Sequence, residues 1–97
     1  MEIKSKTEGT RLTISVSGRV DTVTAPEFEA GLKFGDATCV VIDLANVPYM
    51  SSAGLRLLLV AHKKMVGKGG ELQIANLQST VRDVFDVTGF SDILNLT

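Results

Sequence analysis

The chain has 97 residues, ten Lys and Arg against eleven Asp and Glu, one His, one Cys and no Trp. That length suits a single domain over residues 1–97, and a hydrophobic fraction of 44% excludes a disordered chain. A formal net charge of −1 offers no grip on phosphate backbones, so nucleic acid is not an expected partner, and a lone cysteine supplies neither an internal disulfide nor a zinc site.

Glu2 to Lys6 reads as a first strand. It turns at Glu8-Gly9-Thr10 into a second, where Leu12, Ile14 and Val16 alternate with Thr13, Ser15 and Ser17. Gly18 breaks the run, and Val20-Asp21 opens a loop. Thr24-Ala25-Pro26-Glu27 predicts a helix start: Thr24 as cap, Pro26 in the first turn where its missing N–H costs nothing, and Glu27 completing a capping box. Ala25, Phe28 and Leu32 share a face, and Gly35 closes the segment. Cys39 to Leu44 is almost continuously apolar and β-branched, the pattern of a central strand covered on both faces.

A loop through Pro48 leads to Ser51-Ser52-Ala53-Gly54 and a long helix from about Ala53 to Val66. Leu55, Leu58, Leu59, His62 and Val66 lie at helical spacing, and Leu57, Val60 and Ala61 add a second apolar flank. Lys63, Lys64 and Lys68 gather where the helix dipole favours positive charge. Gly67-Lys68-Gly69-Gly70 stops the helix, and Glu71 to Ala75 alternates like a strand. A last helix from about Ser79 to Thr88 turns Val81, Val84 and Phe85 inward and ends at Gly89, with Phe90 packing back. Ile93 and Leu94 are expected to cover an edge of the core. The order β-β-α-β-α-β-α predicts an α/β fold: a mixed sheet of about four to five strands packed against three or more α-helices.

Nothing along the chain assembles a catalytic constellation, a metal site or a cofactor cradle. His62 falls inside an apolar helical pattern and reads as structural, and Cys39 opens a buried strand and reads as an inert packing thiol. Gly67-Lys68-Gly69-Gly70 lacks the spacing and the following Ser or Thr of a phosphate loop, and it leads into a strand. Asp21 and Asp43 each follow an apolar strand, which sets both at the sheet end expected to carry the Ser51-Ser52 loop. Loop hydrogen bonding is the plain reading of that pair, with acid/base work or Mg²⁺ binding as the competing one. In Tyr49-Met50-Ser51-Ser52-Ala53-Gly54-Leu55-Arg56, two hydroxyls precede a long helix. One serine suffices for an N-cap. The other is left on an exposed loop among small residues that let another protein approach, beside helix N–H groups that tolerate a phosphoryl group. The longest apolar stretch, Leu57 to Ala61, is far short of the roughly 20 residues that span a bilayer. Direct membrane insertion is therefore not expected, and a cytoplasmic location is.

The whole chain resembles a STAS domain of the bacterial anti-sigma factor antagonist family. The likeness rests on Gly18-Arg19-Val20-Asp21-Thr22 before Ala25-Pro26-Glu27-Phe28, on Val40-Val41-Ile42-Asp43-Leu44, on Tyr49 through Arg56, and on Val81-Arg82-Asp83-Val84-Phe85 with Thr88-Gly89-Phe90. The resemblance implies that Ser52 is the phosphoacceptor of a partner anti-sigma factor that is also a serine kinase. It implies partner contact through Asp21, Thr22, Met50, Ser51, Ala53, Gly54, Leu55 and Arg56, with Asp43 as a loop carboxylate. It further implies a phosphatase acting on phosphoserine, and no catalysis by the chain itself. Ser51 stands where many members have Asp, and Ala53 where many have a hydroxyl residue. In such a switch the new charge on Ser52 would repel Asp21 and Asp43. Two other readings compete: a STAS subunit of a lipid-transport ABC complex that binds its ATPase, and a small acid/base enzyme built on Asp21, Asp43 and Ser52.

Overall fold

A computed structural model describes residues Met1–Thr97. β1 (Glu2–Glu8) and β2 (Arg11–Ser17) form an antiparallel hairpin in register from Glu2↔Ser17 to Glu8↔Arg11. Gly9, at the first central position of the turn, has φ +62°, the sign that a type II′ hairpin turn requires there. α1 (Ala25–Gly31) leads to β3 (Cys39–Asn46), and α2 (Ser52–Gly67) to β4 (Glu71–Ala75). α3 (Ser79–Thr88) and a 3₁₀ turn (Phe90–Asp92) then lead to a short β5 (Asn95–Leu96). The sheet has five strands in the order β1-β2-β3-β4-β5, with β2 to β5 parallel and β1 antiparallel at one edge. The fold class expected from the element order is the one observed; Leu94 is buried against the core as expected, whereas Ile93 is 50% exposed and does not cover it.

Strand parity decides where the core sits. Leu12, Ile14 and Val16 of β2, Val40, Ile42 and Leu44 of β3, and Leu72 and Ile74 of β4 belong to one cluster with Phe28 of α1, Leu55, Leu58, Ala61 and Met65 of α2, and Val81 and Phe85 of α3. All three helices therefore pack on the same face of the sheet. β3 is not covered on both faces as its apolar run suggests: the alternate residues Cys39, Val41 and Asp43 look out on an open face. Val41 is buried there, flanked in register by Thr13 and Gln73 rather than by a helix.

The inward stripe of α2 is Gly54, Leu55, Leu58, Ala61 and Met65. Val66, expected inward, is 58% exposed because Met65 occupies the buried position of that turn, and Val60 on the expected second flank is 53% exposed. α1 ends at Gly31 rather than Gly35. A Cβ on Gly31 would stand 2.6 Å from Ile3 Cδ1, so this glycine lets the helix end close onto β1. α3 keeps the expected bounds and stops at Gly89, whose φ of +80° is the left-handed C-terminal conformation.

Candidate functional site

Two loops are stitched together beside the start of α2. Val20, beyond β2, and Met50, beyond β3, form an isolated parallel bridge. The Val20 N–H donates to the Tyr49 carbonyl at 3.0 Å, and the Ser51 N–H donates to the Val20 carbonyl at 2.8 Å. One layer below, the Gly18 N–H donates to the Asn46 carbonyl at 2.9 Å. The first turn of α2 presses onto this bridge at Gly54, where a Cβ would stand 2.7 Å from Val20 Cγ1 and 2.8 Å from Met50 Cγ. Glycine is required there by close approach and not by backbone angle.

The two serines of the loop have different surroundings. Ser51 is the residue before α2 and has the extended backbone of a cap (φ −84°, ψ 173°), yet its hydroxyl makes no capping bond and lies buried without a partner. Ser52 is the first helical residue and is exposed, and its hydroxyl makes no hydrogen bond to the rest of the chain. The expected division into one capping serine and one spare is thus only half observed. The α2 N-terminus has no side-chain cap, and the free hydroxyl that faces solvent is that of Ser52.

Asp21 is the structural centre of the neighbouring loop. Its Oδ1 accepts from the N–H groups of Val23 at 2.9 Å and Thr24 at 3.1 Å, and its Oδ2 accepts from Arg19 Nε at 2.9 Å. The Thr24 N–H does most to hold the Asp21 carboxyl below the usual carboxylate range. Desolvation works the other way, and Arg19, the Val23 N–H and the Thr24 hydroxyl add to the lowering. Thr24, expected to cap α1, has helical backbone angles instead. Its hydroxyl accepts from the Asp21 N–H at 2.9 Å and donates to the Arg19 carbonyl at 2.8 Å. The carboxylate that ties down this helix entry belongs to Asp21, and no capping box forms.

The remaining site residues divide by burial. Thr22 and Arg56 are exposed, and Ala53 is half-buried. Met50, Gly54 and Leu55, expected among the partner-facing residues, are buried, with Met50 at 2% and Leu55 at 3% exposure. They form the platform beneath the loop. Asp43 is not brought to the serines: it lies inside β3, on the sheet face turned away from the helices, where its Oδ1 accepts from the Ala45 N–H at 3.0 Å and from Asn76 Nδ2 at 3.2 Å. Asp21 and Asp43 therefore do not form a pair for acid/base work or for a metal.

Two shallow grooves flank the first turn of α2. Thr22, Pro26, Glu29, Ala53 and Arg56 line the one towards α1, and Ser52, Arg56, Leu59, Thr88 and Phe90 line the one towards α3. Arg56 borders both. Reading along the chain missed a further pair: the Arg19 guanidinium lies 4.0 Å over the ring of Tyr49, whose exposure is 42%. The Val20–Met50 crossing brings these two together, and the only sequence signal was an aromatic residue and an arginine each one position outside the crossing residues.

Two other candidates fall outside this surface. The Cys39 thiol donates to Glu71 Oε1 at 3.4 Å, and its pKa is raised, first by burial and then by the Glu71 carboxylate, with Arg11 opposing. A raised pKa leaves little thiolate, in keeping with an unreactive thiol. It lies on the open sheet face, however, and not in the core. His62 is half-buried on α2, its Nδ1 enclosed and unpartnered. No helix is long and apolar enough to cross a membrane.

The STAS domain family model matches residues 2–97. The anti-sigma-B factor antagonist of Listeria monocytogenes is 31% identical over 99% of this chain and 86% of its own. BtrV of Bordetella bronchiseptica, named as a candidate anti-sigma factor antagonist, is 44% identical over a shorter stretch that takes in 56% of this chain and 47% of BtrV. The match thus spans about half the length of that relative. Among solved structures, an anti-sigma factor antagonist from Mycobacterium paratuberculosis superposes with a TM-score of 0.89 at 26% identity, covering 98% of this chain and 83% of that one. The Bacillus cell fate determinant SpoIIAA, in its phosphorylated form, superposes with a TM-score of 0.74 at 18% identity over 99% of this chain and 91% of its own, a likeness of fold.

Proposed function

The chain belongs to the STAS domain family, and from that premise we propose that it is an anti-sigma factor antagonist switched by phosphorylation at Ser52. The unmodified protein docks the Ser52 loop and the exposed side of the first turn of α2 onto an anti-sigma factor with serine kinase activity, and a sigma factor is released. The observation that carries this reading is the Ser52 hydroxyl: exposed, without an internal partner, and held by a loop clamped through Val20 and Met50. The names of the Listeria and Mycobacterium proteins support the antagonist role.

In the transfer step, Ser52 Oγ attacks the γ-phosphorus of ATP held by the kinase. The bond to the ADP oxygen breaks, and the serine proton passes to a base of the kinase. This chain contributes the nucleophile and its presentation, and no catalytic group. The product adds about −1.5 to −2 charge to the docking surface. Repulsion by Asp43 plays no part, since that carboxylate lies on the other sheet face, and the charge of Asp21 is already engaged by Arg19. What weakens the complex is desolvating a phosphate against a partner surface that docks the uncharged serine. Such mismatches cost several kcal/mol, and about 3 kcal/mol corresponds to roughly a hundredfold loss of affinity. A phosphatase acting on phosphoserine restores the binding form.

Intact-mass and site-mapping analysis of the protein from its native cells tests this reading. A single phosphoryl group on Ser52, absent from Ser52→Ala, supports it. Protein that stays unmodified through growth, stress and stationary phase overturns it, and co-purification with an ABC ATPase would then direct attention to the transporter-subunit role.

A further inference from the structure

We propose that Arg56 is the internal counter-ion of phosphorylated Ser52, closing an ion pair across the first turn of α2. The inference rests on the reading of Ser52 as phosphoacceptor and deepens it. Ser52 opens the helix and Arg56 follows one turn later on the same side, both exposed and both bordering the groove towards α3. Side chains on an α-helix lean towards its N-terminus, so the guanidinium reaches back over residue 52 rather than away from it. An acidic group placed one turn before a basic one is the favourable order of such pairs.

The guanidinium is also unclaimed. The ion pairs of the chain are Lys4–Glu2, Lys6–Glu8 and Arg19–Asp21. Glu29 of α1 shares the other groove with Arg56 without pairing to it, and Asp21 is held by Arg19 and two backbone N–H groups. Arg56 therefore stands between two grooves with no carboxylate bound. Before modification its charge is available to a partner, and after modification the phosphate engages it. One covalent event thus adds negative charge to the surface and withdraws a positive one.

The test uses the full chain with phosphoserine installed at position 52 during translation, so that it needs no kinase. The phosphate is titrated by ³¹P NMR in the wild-type background, in Arg56→Gln and in Arg56→Lys. The second phosphate pKa is expected about 0.3–0.7 unit lower with Arg56 than with glutamine, the size of an exposed one-turn pair acting on a dianion. Arg56→Lys keeps most of the lowering, and about 1 M salt removes most of it. Equal titration in the wild-type background and in Arg56→Gln overturns the proposal, with circular dichroism verifying that both chains are folded. Native protein that never carries phosphate overturns the Ser52 switch instead, so the two failures are separate.

Discussion

Gly54→Ala puts the clamp beneath the serine loop under direct stress. The added Cβ would meet Val20 Cγ1 at 2.7 Å, Met50 Cγ at 2.8 Å and Met50 Sδ at 3.3 Å. Neither neighbour has room to retreat, since Val20 is 0% and Met50 2% exposed and their backbones are joined as a bridge. Overpacking of this kind costs about 1–3 kcal/mol, while alanine in place of a helical glycine returns up to about 1 kcal/mol. The expected net loss is about 1–2 kcal/mol, or a fall in melting temperature of about 5–10 °C for a domain of this size. Gly67→Ala on the same helix is the control. A Cβ there meets nothing within 4 Å, so the propensity gain stands alone and the protein is unchanged or slightly more stable. Urea and thermal unfolding followed by circular dichroism measure both. If Gly54→Ala is as stable as the wild type, the close approach of α2 to the Val20–Met50 bridge is refuted as the reason for glycine.

Ser52→Ala is expected to unfold within about 0.5 kcal/mol of the wild type, because its hydroxyl has no partner to lose. By the proposed function it still binds the anti-sigma factor, whereas Ser52→Asp binds at least about tenfold more weakly, as calorimetric titration would measure. Asp21→Ala tests the loop carboxylate through pH. Because the folded-state pKa of Asp21 lies below its unfolded value, its contribution is present above the unfolded pKa and lost as pH falls through the folded one. The stability gap between wild type and Asp21→Ala, read from urea midpoints, should narrow below about pH 4, and a gap independent of pH would contradict the hydrogen-bond network. Cys39 should react with iodoacetamide at pH 8 more slowly in the folded chain than in the urea-unfolded one, and Glu71→Gln should speed it. An unchanged rate in folded Glu71→Gln would count against the Glu71 contact.

Where local rules act alone, the chain was easy to read. The alternation of β2 and β4, the glycine stop of α3 and the start of α2 at the serine pair all depend on near neighbours. The two-sided reading of β3 failed because a continuous apolar run does not say what buries it. Val41 is shielded within the sheet by Thr13 and Gln73, which are brought beside it only by strand register. The entry to α1 was misread for a similar reason, since Asp21 and Thr24 both offer oxygens and it is Asp21 that accepts from the Val23 and Thr24 N–H groups just before the helix. Within the site, Ser52 was legible as an exposed hydroxyl at a helix start. The burial of Met50, Gly54 and Leu55 was not, because it depends on the first turn of α2 pressing onto the Val20–Met50 bridge. The Arg19–Tyr49 stack joins two loops remote in sequence, and no spacing rule reveals it.

The open face of the sheet has a consequence for self-association. β1 is an edge strand whose open face carries Glu2, Lys4, Lys6 and Glu8, and along the strand these pair as Lys4–Glu2 and Lys6–Glu8, both at 3.5 Å. If a second copy extended the sheet through β1 in two-fold antiparallel fashion about Ser5, Lys4 would face Lys6 and Glu2 would face Glu8. Sliding by two residues in either direction sets one lysine against its own counterpart and brings two Glu–Lys pairs opposite each other, so the disfavoured register is the centred one. Like charges directly opposed disfavour strand pairing, and edge lysines are a known bar to open-ended growth. The same short-range order of charge that satisfies the hairpin internally thus disfavours the centred two-fold pairing of two such edges.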